Sequence, residues 1–70
     1  MKIETNDLGY QFIELGEGDI LQQSSSGGSY KIPGSSHVWL GKRDHRMHLN
    51  CYQVRELVKH LTNWLEKGEF

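Results

Sequence analysis

The chain contains a single cysteine, Cys51, and a single proline, Pro33. One thiol cannot close a disulfide within the monomer, so the staple of many short secreted domains is excluded, and the composition suits a reducing, cytoplasmic setting. No apolar run approaches the about 20 residues a helix needs to cross a bilayer. The opening MKIETNDLG has no apolar signal core, so the expectation is a protein neither exported by that route nor inserted in a membrane. A surplus of one charge is missing too: 8 Lys and Arg stand against 9 Asp and Glu, a net charge of -1, which gives no global attraction to nucleic acid. Length is the last thing in short supply. Seventy residues make one domain, 1–70, and a fold this small hides only about 60% of the surface its unfolded chain exposes. Without a disulfide, such a domain gains stability from a metal or from partner subunits.

What charge there is has an uneven distribution. Residues 1 to 30 carry Glu4, Asp7, Glu14, Glu17 and Asp19 against Lys2, whereas residues 31 to 50 carry Lys31, Lys42, Arg43 and Arg46 against Asp44. An acidic first half is thus followed by a modest basic patch.

The clearest element is the last. In LNCYQVRELVKHLTNWLEKGEF, Asn50 is a good N-cap, Gln53 has the position that completes a capping box, and Leu49 with Val54 has the spacing of a hydrophobic staple. Gly68 supplies the stop. A turn of about 100° per residue gathers Val54, Leu57, Val58, Leu61, Trp64 and Leu65 on one arc, opposite Glu56, Lys59, Asn63 and Lys67. The spacing predicts an amphipathic helix over about residues 51–67.

Everything before it reads as strand and turn. HVWLG alternates Val38 and Leu40 with His37 and Trp39; after the turn Lys42 to Asp44, RMHL alternates Met47 and Leu49 with Arg46 and His48. A hairpin of these two strands directs Val38, Leu40, Met47 and Leu49 toward the helix and Trp39, His37, Arg46 and His48 away from it. YQFIEL and DILQQ flank Gly16-Glu17-Gly18, a connection that suits a hairpin, and Lys2 to Thr5 adds an edge strand through a turn at Asn6-Asp7. Tyr10 and Phe12 point opposite to Ile13 and Leu15, so this strand either bulges or is covered on both faces. The expected strands are about 2–5, 10–15, 19–23, 37–41 and 45–49. The Ser/Gly-rich stretch 24–36 reads as a long mobile loop, with Tyr30 to Ile32 touching down as a short strand. The fold class is therefore α+β, a small antiparallel sheet of four or five strands packed against one C-terminal amphipathic helix.

Chemistry-bearing patterns are few. His45-x2-His48-x2-Cys51 has a zinc-ligand spacing, but a strand alternates side chains between faces, and His37 alone is available as a fourth ligand. Surface histidines and a packed cysteine explain the pattern, so no metal is assigned. Cys51 in the first turn of a helix, with a histidine and Asp44, has the elements of a nucleophilic site. A chain this short has little room for the pocket and oxyanion site that catalysis needs, and no catalytic residue or enzyme activity is assigned. GGSYK and GEGD lack the full phosphate-loop pattern and open no helix, so no cofactor is assigned either.

The residues of HLNCYQVRELVKHLTNWLEKGEF, in particular Met47 to Leu49, Gln53 to Leu57, Leu61, Trp64, Leu65 and Gly68 to Phe70, resemble the C-terminus of small accessory proteins of bacteriophages and prophages, where a strand runs into a capped helix. The resemblance covers the last third of the chain and implies a product that binds and disables a host factor or sequesters a defence signal. It carries over no functional residue.

Together these features favour a non-catalytic binding protein, a homo-oligomer that occludes a host protein or defence component. The contact residues expected are Trp39, Arg43, Arg46 and His48 on the outer hairpin face, with Tyr30 and Lys31 in the loop, because exposed aromatics beside arginine are typical of interface cores. The alternative is a nucleotide or nucleic-acid binder that uses the basic hairpin Lys42 to His48 and the Ser/Gly loop. Histidines in the hairpin are expected to add positive charge as pH falls toward about 6, strengthening attachment to an anionic partner.

Overall fold

The computed structural model describes residues 1–70 except 27 and 29–31. Five strands, β1 (Ile3–Thr5), β2 (Gln11–Gly16), β3 (Asp19–Ser24), β4 (His37–Lys42) and β5 (Arg46–Leu49), precede one helix, α1 (Cys51–Lys67). The strands form one sheet in chain order, each antiparallel to the next. The fold is thus α+β, a five-stranded antiparallel meander followed by a C-terminal helix. No described helix is long and apolar enough to cross a membrane.

Turn chemistry sets the order. Asn6 Oδ1 accepts from the backbone N–H groups of Leu8 and Tyr10, each at 3.0 Å, closing the β1–β2 connection. The β2–β3 hairpin turns at Glu17-Gly18, with φ of 52° and 82°, the two successive positive values that let a two-residue loop follow the right-handed twist of its strands. The conflict within β2 is resolved by a bulge: the register shifts between Glu14 and Gly16, so Leu15 is the extra residue and remains exposed at 42%. The β4–β5 hairpin closes through reciprocal backbone bonds between Lys42 and His45.

The register divides the side chains between two faces. Ile3, Ile13, Leu21, Leu40 and Met47 form an apolar row across all five strands, with Val38 and Leu49 paired beside it. On the other face, Glu4, Phe12, Gln22, Trp39 and His48 form one row, and Glu14, Ile20, Gly41 and Arg46 the next. Among the described residues only Ile20 and Leu49 are buried apolar side chains.

The helix has the caps its sequence predicts. Asn50 Oδ1 accepts from Gln53 N and Gln53 Oε1 accepts from Asn50 N, both at 2.9 Å, and Gly68, at φ 75°, ends α1 by donating its N–H to the Trp64 carbonyl. Its contact with the sheet is more limited than the amphipathic pattern predicts. The first turns meet the sheet around a cleft of about 310 Å³ lined by Gln23, Ile32, Pro33, Val38, Cys51 and Val54. Beyond them Val58, Leu61, Trp64 and Leu65 are exposed, no helix residue is buried, and Met47, expected beneath the helix, is 56% exposed. Asn50 follows β5 directly, at one edge of the sheet, so α1 starts beside the layer rather than above its middle.

Candidate functional site

The face opposite the apolar row carries a connected aromatic and cationic cluster. Trp39 and His48 are directly opposed in the β4–β5 register, the pairing that brings cross-strand side chains closest. Their rings stack with centroids 3.9 Å apart and planes inclined by 18°. The His37 ring stacks on His48 at 4.5 Å and 27°. The Arg46 guanidinium lies over the indole, 4.4 Å from its centroid. Two groups this close to one ring system would collide on a shared face, so Arg46 and His48 hold the indole between them. The result is a ladder, Arg46–Trp39–His48–His37, with every member partly buried.

Hydrogen bonds secure its far end. His37 Nδ1 donates to the Ser26 carbonyl at 2.7 Å. His48 Nε2 lies 2.9 Å from Oγ of Ser24, a residue only 5% exposed. Ser24 Oγ also accepts from Ser26 N at 3.2 Å, so its own proton is available to Nε2 of a neutral imidazole. Partial desolvation holds the His48 pKa below its ordinary value of 6.5, and the neighbouring His37 and Arg46 act in the same direction. His48 therefore resists the gain of charge near pH 6 that the sequence suggests for the hairpin.

The basic residues of the β4–β5 turn are drawn into the sheet. Lys42 Nζ is 3.0 Å from Asp19 Oδ1 and donates to the Glu17 carbonyl at 2.7 Å. Arg43 is 3.4 Å from Glu14 Oε1 and lies 6.0 Å from the centre of the Phe12 ring. Glu14, Ile20 and Gly41 share one row, so a bridge from the β4–β5 turn to Glu14 passes over Ile20, the most buried side chain at 1% exposure. Two acids of the first half, Asp19 and Glu14, thus pair with two cations of the basic patch, because a meander brings the β2–β3 and β4–β5 turns to the same end of the sheet.

Of the expected contact residues, Trp39, Arg46 and His48 are thus joined in one ladder, with His37 as a fourth member. Arg43 lies instead with Glu14 and Phe12. Tyr30 and Lys31 lie outside the described residues. The His45, His48, Cys51 spacing is not gathered into a ligand set: among the described residues no three His, Cys, Asp or Glu side chains come together. Cys51 lines the cleft beside α1 with His37, whose Nδ1 and ring are committed to Ser26 and His48. The role of Ser24 was not legible in sequence, since nothing distinguishes it from Ser25 and Ser26 until the register sets it opposite His37.

No protein-family model matches the chain, and no curated protein or solved structure is significantly similar to it.

Proposed function

We propose that this chain is a non-catalytic binding protein that occludes a protein partner through the Arg46–Trp39–His48–His37 ladder. The observation that carries the reading is the ladder's preorganisation: an indole held between a guanidinium and an imidazole that is itself hydrogen-bonded to a buried serine hydroxyl loses little side-chain freedom when a partner arrives. Tryptophan and arginine together supply the large contact area and directed donors that dominate interface energetics. The resemblance of the last third of the chain to small phage accessory proteins supports a host protein or defence component as the partner.

The nucleotide and nucleic-acid alternative is less well supported, because two of the cations it relies on are satisfied internally. Lys42 pairs with Asp19 and Arg43 with Glu14, so each would exchange an existing partner for phosphate.

The reading is tested by affinity capture from host extract, followed by direct titration of the recovered partner. Wild-type protein retains the partner, whereas Trp39→Ala combined with Arg46→Ala loses it while keeping the helical circular dichroism. Arg46→Glu, a change at the edge of the ladder, weakens it at least tenfold. Unchanged affinity in Arg46→Glu and in the folded double variant refutes the assignment. An affinity that collapses between low and moderate salt, with nucleic acid competing, supports the alternative.

A further inference from the structure

We infer that two copies of this chain pair edge to edge through β1, antiparallel about a two-fold axis at Ile3, so that two five-stranded sheets join into one of ten strands. The proposal goes beyond the ladder reading and uses none of its residues.

The main-chain groups that β1 leaves open are the first argument. β1 is an outer strand of the sheet. Asn6 N donates to the Tyr10 carbonyl, and these two residues continue the register that sets Ile3 opposite Ile13, Glu4 opposite Phe12 and Thr5 opposite Gln11. Bonded and non-bonded pairs alternate along an antiparallel ladder, so Glu4 bonds to β2 while Ile3 and Thr5 direct N–H and C=O outward. Gln11 gives the same phase from the other side, since its N–H turns away from β1 to Gln23 Oε1 on β3, at 2.8 Å. No described segment meets the outward groups. An edge open in this way is a template for another strand.

Charge identifies that strand as a second copy. Lys2 and Glu4 flank Ile3, and neither joins an ion pair among the described residues; the acid next in register beside Lys2, Glu14, is held by Arg43. With Ile3 opposite the partner's Ile3, that pair exchanges both of its outward bonds. Each Lys2 then falls opposite the partner's Glu4 at a non-bonded position, where side chains come closest. The neighbouring registers that keep the faces aligned set Glu4 against Glu4 or Lys2 against Lys2, so charge rejects them. Charges on an edge strand ordinarily repel a second strand; opposite signs on either side of Ile3 make them attract their own copy in one register. The other edge, β5, has no such match, because its sequence RMHL contains no acid. Ile3, 60% exposed at the end of the apolar row, gains the partner's Ile3 as its outer neighbour. The contact is isologous and uses both β1 edges, so association stops at two.

Sedimentation equilibrium from about 50 µM to about 1 mM tests the pairing, a range suited to an interface well under the about 800 Å² per partner of a tight complex. The wild-type chain passes from monomer to dimer across that range and grows no further. Lys2→Glu and Glu4→Lys each oppose like charges twice and weaken self-association about tenfold. An equimolar mixture of these two variants recovers it, because each charged position of one then faces the opposite sign on the other. Ile3→Pro removes an outward N–H without breaking a bond to β2, so it remains folded by circular dichroism and sediments as a monomer. A wild-type monomer at the top of the range overturns the proposal. So does growth beyond the dimer, a folded Ile3→Pro variant that associates like the wild type, or a mixture of the charge variants that associates no better than either alone.

Discussion

Replacing Gly41 by alanine tests how the ladder is held. Gly41 has φ 135°, a conformation nearly confined to glycine, whose occupation by a residue with a Cβ costs about 1–3 kcal/mol. The added methyl would lie 2.9 Å from the His45 carbonyl oxygen and 3.0 Å from Arg46 Cα. Both are backbone atoms of the hairpin, so relief requires β4 and β5 to separate rather than a side chain to turn, adding about 1 kcal/mol by the scale of overpacking. The sum, about 2–4 kcal/mol, is a large part of the about 4–10 kcal/mol expected for a domain of this length. Near the midpoint it lowers Tm by about 14–27 °C. Gly18→Ala is the matched control: its φ of 82° is also positive, but nothing lies within 4 Å of the new methyl, so it bears only the left-handed penalty of about 1–2 kcal/mol. Thermal unfolding followed by circular dichroism, at one protein concentration because association raises Tm, ranks the two. If Gly41→Ala melts no lower than Gly18→Ala, the close approach of the hairpin backbone is not what this glycine accommodates.

Two further outcomes follow from the site and the helix cap. Because the folded-state pKa of His48 lies below its unfolded value of 6.5, the unfolded chain binds more protons around that pH. The His48 contribution is therefore complete above about pH 7, declines as pH falls through 6.5 and levels off below the folded value. Urea midpoints at pH 7.5, 6.5 and 5.5 should fall in that order, less steeply in His48→Gln, and an identical slope in the variant would remove His48 as the cause. At the start of α1, Asn50→Ala removes the acceptor for Gln53 N and should cost about 1 kcal/mol, whereas Asn50→Asp retains an acceptor and should cost much less; equal midpoints for the two would show that the cap contributes nothing measurable.

The local devices of the fold were legible in sequence because each is set by a few neighbouring residues. Asn50, Gln53 and Gly68 bound the helix, Gly16-Glu17-Gly18 turns a hairpin, and the opposed directions of Phe12 and Ile13 announce a strand with a bulge or two covered faces. The co-location of Trp39, His37, Arg46 and His48 was also legible, since alternation within each strand, with the apolar residues of both strands on one side, assigns them to the other face. Which rings stack was not. That depends on Trp39 pairing with His48 rather than with a neighbour, a register set by the two-residue closure between Lys42 and His45 and by Gly41 opposite Arg46.

The amino-acid sequence by itself determined the elements and the side each residue presents, because periodicity, caps and turns act over a few residues. Tertiary structure alone decided which charges remain available and where the helix goes. Arg43 and Lys42 read as a free basic patch until the meander brings Glu14 and Asp19 beside them, and the stripe on α1 reads as the lid of the sheet until the chain is seen to leave β5 at an edge. Both outcomes depend on contacts between residues far apart in the chain, and no local pattern encodes the direction in which a helix departs from a strand.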